Sequence, residues 1–242
     1  LILSAKTDTT ISLQWDGIPD NAEITEYNIY NAEAIVMEAV TGTAITLSVL
    51  TPNTNYEISI KARNIEGNIL ASSNILSIKT VLSAPASPTT NSKTTQITFS
   101  WDALVDATGY EVSVDGVTTG TGINTTFTHG GLLSNTQHTY KVRGISADGE
   151  AGMWSQDIVT TTSVLAAPAN IKVDQGFTSI FLSWDPVDEA DEYEIEADGI
   201  IIANSAGTHY LHNDLQRNST HTYRIRSKNA GGYSEWSSLY AT

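Results

Sequence analysis

Between Asp185 and Glu192 five carboxylates fall within eight residues. Hard cations are held by several carboxylate oxygens, so this run is a candidate calcium loop. Its spacing has neither the alternating Asp/Asn ladder nor the glycine of an EF-hand loop, and a solvated loop without metal is the expected reading. Asp16, Asp20 and Glu23 crowd a similar stretch earlier in the chain, as do Asp102 and Asp106. Four of the five histidines form two equivalent pairs, His129 with His138 and His212 with His221. Two imidazoles lacking a third protein ligand do not make a zinc site. Neutral, partly buried rings, bonded to each other or to backbone, are expected instead. Paired carboxylates for glycoside hydrolysis need a cleft to separate their pKa values, and the acids here are expected on loop tips and outward strand faces. There is no Gly-x-Ser-x-Gly elbow and no triad frame. A chain that is not an enzyme, with no catalytic, cofactor or metal residues, is expected.

The elements that carry these residues come round three times. Each unit has an alternating strand ending in tryptophan (Trp15, Trp101, Trp184), an acidic loop, and an alternating strand opening on tyrosine. Those tyrosines are Tyr27, Tyr110 and Tyr193, each 83 residues after the last. Ile11, Leu13 and Trp15 alternate with Ser12, Gln14 and Asp16, the period of a half-buried strand. Tyr56, Ile58, Ile60 and Ala62 alternate likewise. No stretch has helical periodicity. Asp115-Gly116 and Asp198-Gly199 follow the tyrosine strands, a pairing that favours type I′ hairpins because both central residues need positive φ. The first unit has Ala32-Glu33 there, so its turn must be built differently. Val81-Leu-Ser-Ala-Pro85 and Val164-Leu-Ala-Ala-Pro168 mark the junctions. Being short, apolar and proline-tipped, they differ from flexible Gly/Ser linkers, and their valine, leucine and alanine are expected to bury between units. The boundaries that follow are 1–81, 82–163 and 164–242, the first abbreviated at its N-terminus. The absence of an initial methionine suggests a piece of a longer protein.

The formal charge of −15, from 27 acidic and 12 basic residues, argues against a phosphate backbone as partner and against an anionic membrane surface. Cysteine is absent, which removes disulfides and thiolate metal sites. No apolar run is long enough to cross a bilayer as a helix, so no membrane insertion is expected in this stretch.

The strand tryptophan, the strand tyrosine, Leu50-Thr-Pro-Asn-Thr-Asn-Tyr56 and the turn Ala62-x-Asn64-x-x-Gly67 together resemble the fibronectin type III module. The resemblance covers the whole chain. It implies an all-β protein of three tandem immunoglobulin-like seven-strand sandwiches, strands A, B and E facing C, C′, F and G. It also implies a tyrosine corner formed by Leu50 and Tyr56. Leu132 and Leu215 match Leu50, which places His138 and His221 on Tyr56 and His129 and His212 on Leu47. Pro52 becomes Ser134 and Arg217. The corner must therefore use imidazole in the later repeats, or be missing. No Arg-Gly-Asp occurs, and the Trp-Ser-x-Trp-Ser box of cytokine receptors is half echoed at Glu235-Trp236-Ser237. Trp154 and Trp236 could stack on a sugar ring, but a cation–π ladder with Arg143, Arg224 and Arg226 is the preferred reading.

The resemblance points to a spacer or interaction array in a larger secreted or cell-surface protein, of the kind found in bacterial extracellular proteins. A carbohydrate-binding accessory module, an adhesive protein-binding module and a receptor fragment are the alternatives. Partners would be a protein or polysaccharide ligand and the flanking domains of a parent chain, with no nucleic acid and with the array itself a monomer.

Overall fold

The computed structural model describes residues 1–18 and 23–241; among them there are strands and no helix. Contacts gather the chain into two compact units. One holds Leu1–Thr89, Ser100–Phe127 and Tyr140–Ile158; the other holds Thr90–Phe99, Thr128–Thr139 and Val159–Thr242. The dividing line runs through the second repeat.

The first repeat contains β1 (Ile2–Lys6), β2 (Ile11–Gln14), β3 (Ile24–Asn31), β4 (Ala34–Val40), β5 (Ala44–Leu47), β6 (Asn55–Asn64), β7 (Ile69–Ser72) and β8 (Leu76–Lys79). One sheet runs β1-β2-β5 and the other β4-β3-β6-β7, with β8 also on β6. Alternation places Ile11, Leu13, Ile29, Ile58 and Ile60 in one core with Trp15, Tyr27 and Leu47. Burying such side chains contributes about 1.5–3 kcal/mol each.

The second repeat holds β9 (Thr89–Ser92), β10 (Gln96–Ser100), β11 (Ala107–Val114), β12 (Val117–Gly122), β13 (Thr126–Gly130), β14 (Gln137–Ser146) and β15 (Ile158–Thr161). Its sheets run β13-β10-β9 and β12-β11-β14-β15. The third holds β16 (Lys172–Gln175), β17 (Ile180–Ser183), β18 (Glu192–Ala197), β19 (Ile200–Ser205), β20 (His209–His212), β21 (Thr222–Asn229), β22 (Gly232–Tyr233) and β23 (Tyr240–Ala241). Its sheets run β16-β17-β20 and β19-β18-β21-β22, with β23 also on β21. Ile180, Leu182, Ile195, Tyr223 and Ile225 form its core with Trp184 and Tyr193. The three-plus-four strand plan is the one the family resemblance implied.

The turns divide as the sequence implies. Asp115 and Gly116 sit at φ 49° and 86°, and Asp198 and Gly199 at 51° and 83°, the left-handed pairs of type I′ hairpins. In the first repeat Ala32 alone of its pair is left-handed, at φ 53°. Asn31 steadies that turn, its Oδ1 accepting the Glu57 amide at 2.9 Å.

Candidate functional site

Each signature tryptophan meets its tyrosine edge-on: Trp15 with Tyr27 at 5.4 Å, Trp101 with Tyr110 at 5.6 Å, and Trp184 with Tyr193 at 5.3 Å. All six are buried, and such edge-to-face pairs add about 0.5–1.5 kcal/mol beyond area burial. The tyrosines have a second role that the repeat pattern did not reveal. Tyr110 and Tyr193 accept the amides of Leu104 (2.7 Å) and Val187 (2.8 Å), tying the acidic loop to the core. The shared spacing from Trp101 to Tyr110 and from Trp184 to Tyr193 was the available signal.

At the opposite end of the strands, the amides of Leu50, Leu132 and Leu215 donate to Thr9, Thr95 and Thr178 at 2.9–3.0 Å, an equivalence kept in all three repeats. Tyr56 accepts the Thr51 amide at 2.8 Å, so the tyrosine corner exists in the first repeat. In the others a relay replaces it. His138 Nε2 lies 3.1 Å from Thr136 Oγ1, which donates to Leu133 O at 2.7 Å. His221 Nε2 lies 2.8 Å from Ser219 Oγ, which donates to Gln216 O at 2.7 Å. An imidazole is shorter than a phenol and reaches the loop through a hydroxyl.

Each histidine pair does converge, with ring centroids 5.0 Å apart for His129 and His138 and 5.9 Å for His212 and His221. Three of these rings find side-chain partners other than an imidazole. His212 Nδ1 meets the Tyr223 hydroxyl at 2.8 Å, and His221 Nδ1 meets Asp198 Oδ2 at 2.7 Å, while His138 bonds Thr136. Burial, followed by the neighbouring His221, pushes the His212 pKa below its ordinary value. The hydrogen bond from His221, followed by the Thr222 amide, holds Asp198 below the usual carboxylate range. Burial pushes Tyr223 up to about 12.

The most elaborate side-chain array lies on the outer face of β18 and β21. Register sets Glu192, Glu194 and Glu196 directly opposite Lys228, Arg226 and Arg224. Arg224 grips Glu196 through two bonds of 2.7 and 2.8 Å; Lys228 meets Glu192 at 2.5 Å, and Arg226 pairs with Glu194. Aromatic rings lie against the cations. Arg224 and Arg226 stand 4.8 and 4.4 Å from the centre of Trp236, and Arg226 stands 4.0 Å from that of Tyr233. Ser234 and Ser237 anchor this strand. Their amides donate to Ser227 and Ile225 carbonyls, and their hydroxyls accept the amides of the same two residues. Tyr233-Ser234 therefore completes the box half seen at Trp236-Ser237, with tyrosine for the first tryptophan. The acids of this ladder point outward, as expected, and the side chains of Glu194 and Glu196 are only 11% and 9% exposed, because the cations cover them.

The second repeat has one such rung: Glu111 at 2.6 Å from Arg143, Arg143 at 4.4 Å over Trp154, and Ser155 bonded to Val142. In the first, Ser73 bonds Ile60 in the same way, but Ser72 stands where the ring would be.

The acidic loop spreads its carboxylates among separate partners. Asp185 accepts from Asn170 at 2.6 Å, Glu189 from the Thr94 amide at 2.8 Å, and Glu192 belongs to the ladder. Among the described residues no group of three His, Cys, Asp or Glu side chains could hold a metal. Asp20 lies outside the described residues.

Within the first unit, Leu82 is buried and its carbonyl accepts the Met153 amide at 2.9 Å. Around it Ser83 bonds Asp8 (2.9 Å), Lys6 meets Glu150 (2.6 Å) and Lys79 meets Asp148 (2.9 Å). Hydrogen bonds from Ser146 and Lys79 push the Asp148 carboxyl down to about 2. Within the second unit, Leu165 is buried and its amide donates to Ser134 Oγ. Ser134 N bonds Gly231 O, and Asn229 Nδ2 reaches both Thr94 Oγ1 and Glu189 O at 2.9 Å. The leucines bury as expected, whereas Val164 is 63% exposed.

Residues 1–79 match the model of the fibronectin type III domain. The following repeats have the same strand plan. The chain is a fibronectin type III tandem. It is 35% identical to "Chitinase A1" of Niallia circulans over 170 residues, 65% of this chain and 24% of that protein. It is 25% identical to "Exoglucanase B" of Cellulomonas fimi over 259 aligned positions, 94% of this chain and 24% of that protein. A murine protein, "Fibronectin type III domain-containing protein 7", is 30% identical over 204 residues, 80% of this chain and 27% of that protein. The tandem thus spans about a quarter of the length of these curated relatives.

Proposed function

We propose that this tandem is a non-catalytic spacer of three modules, 1–81, 82–163 and 164–242, within a larger secreted polysaccharide-degrading protein. The observation that carries the reading is the construction of its joints. A flexible linker would leave its backbone to water. Here Leu82 and Leu165 are buried, and carbonyl, amide and carboxylate groups beside each are bonded to the module that follows or precedes. Similarity to proteins named as a chitinase and an exoglucanase supplies the setting. The array acts as a monomer, its acidic surface keeping it hydrated and apart from other copies.

The alternative, an accessory polysaccharide-binding module, has one observation in its favour: Tyr233, beside Trp236, is 47% exposed. Against it, Trp236 is already engaged by two guanidinium groups. Co-sedimentation with insoluble chitin and cellulose separates the readings. The spacer stays in the supernatant, and retention that is lost in Tyr233→Ala would overturn it. Amide exchange tests the joints: Met153 and Thr94 should be protected well beyond exposed loop amides, and rapid exchange at both would defeat the spacer reading.

A further inference from the structure

Two neighbouring loops of the third repeat depart from their counterparts. The turn bond Gly176 N to Ser179 O matches Thr7 N to Thr10 O and Lys93 N to Gln96 O, which sets Phe177 on Asp8 and Thr94. Arg217 stands where Pro52 and Ser134 stand, two residues past the matched leucine. Asp8 and Thr94 are hydrogen-bonded, to Ser83 and Glu189, as Ser134 is to Gly231. Phe177 is instead 87% exposed, with the Arg217 guanidinium 5.7 Å from the centre of its ring.

These two residues border a groove of about 350 Å³ lined by residues 175–180 and 215–219. Its walls are braced by their own bonds. Leu215 N donates to Thr178 O at 3.0 Å and ties the two turns together. Gly176 N closes the first turn on Ser179 O at 2.8 Å, and the Ser219 hydroxyl closes the second on Gln216 O at 2.7 Å. A site set in this way has little ordering cost to meet on binding. Although the chain has a net charge of −15, the lining holds no acid. It holds Arg217 and the side-chain amides of Gln175, Gln216 and Asn218. The other four arginines each have a carboxylate within 4.0 Å; among the described residues Arg217 has none.

We propose that this groove binds an acidic saccharide, a uronic-acid unit of a polysaccharide chain. Phe177 offers an open ring face to the apolar C–H face of a pyranose. The planar fork of Arg217 matches a carboxylate through two parallel hydrogen bonds. The three amides both donate to and accept from ring hydroxyls. A neutral sugar would leave the guanidinium without a counter-charge, and a bare carboxylate would leave the Phe177 ring in water. The volume lies near the lower end of ligand pockets, about 300–1,000 Å³, and suits a short stretch of chain better than a broad surface. Asp174 and Asp214 adjoin the lining segments in sequence without lining the groove, and the field of acids further away is screened within about 8 Å at physiological salt. The inference stands apart from the spacer reading, whose joints lie elsewhere.

The test titrates the full chain with oligogalacturonate and follows its amide resonances. Saturable shifts are expected at 176–179 and 215–219, with the core amides of Ile195 and Ile225 unmoved. Cello-oligosaccharide of the same length supplies rings without carboxylates, and glutarate supplies carboxylates without a ring. Each should bind at least about tenfold more weakly. Arg217→Gln should weaken oligogalacturonate binding at least about tenfold, Arg217→Lys by less, and Phe177→Ala about fivefold. Both side chains are exposed, so the variants keep the fold, which unchanged core resonances verify. The proposal is overturned if the parent shows no saturable shifts, or if cello-oligosaccharide or glutarate binds as tightly as oligogalacturonate. Unchanged affinity in either Arg217→Gln or Phe177→Ala would overturn it as well.

Discussion

Nδ1 of His221 lies 2.7 Å from Oδ2 of Asp198, a residue held at φ 51° at the tip of the hairpin between β18 and β19. The other oxygen of Asp198 accepts the amide (2.8 Å) and hydroxyl (3.1 Å) of Thr222. One aspartate thus joins the hairpin, the start of β21 and the relay that substitutes for a tyrosine corner. Asp198→Ala removes all three bonds and places a side chain without local hydrogen bonding in the left-handed region, with an expected loss of about 2 kcal/mol. Asp198→Asn keeps an acceptor and tolerates that conformation, and should lose about half as much. Urea unfolding of the two variants checks the order.

The half-buried His212 ring has a pH signature. Its folded pKa lies below the unfolded value of 6.5, so the neutral form is favoured by folding. This contribution is fully present above pH 6.5 and is lost as pH falls from there toward the folded pKa. Facing it are His221, which opposes its charging, and Asp198, which favours it, with Tyr223 and Tyr210 alongside. Denaturation midpoints followed from pH 7 to pH 5 should fall less steeply in His212→Phe than in the parent. Parallel profiles would mean that the ring is freely hydrated.

Removing a cation from the ladder leaves a shielded carboxylate without its counter-charge. Arg226→Met should cost about 3 kcal/mol, because Glu194 then stays covered and unpaired. Adding Glu194→Gln to Arg226→Met should recover part of that loss. A double-mutant cycle in guanidinium chloride measures the coupling, and near-UV circular dichroism reports whether Trp236 keeps its place.

At the first joint, Gly152→Ala would set a methyl 2.8 Å from both the Cβ and the carbonyl oxygen of Leu82. The backbone oxygen cannot swing aside as a flexible side chain would. The variant should lift Leu82 from its seat and speed exchange at the Met153 amide by about tenfold or more, with little effect at Ile195 and Ile225 in the third repeat. Hydrogen exchange read by mass spectrometry resolves the two regions.

The alternation of Ile11, Leu13 and Trp15, the 83-residue spacing of the strand tyrosines and the Asp-Gly pairs were sufficient for the strands, the repeat and two of the hairpins. These are local properties: period two fixes which side chains face inward, and a left-handed pair is chosen by its own two residues. The replacement of Tyr56 by His138 and His221 was equally legible, since it needs only alignment of one repeat on another. What those imidazoles bond to was not, because Asp198 stands 23 residues from His221 and meets it only when β18 and β21 pair. Glu194 and Glu196 show the limit most clearly. Alternation assigns them to the outer face, and on that face an acid is ordinarily wet. Their shielding comes from Arg226 and Arg224, about thirty residues further along, with Trp236 and Tyr233 stacked on those cations. Exposure depends on which distant side chains cover a surface, and only the tertiary structure brings them there.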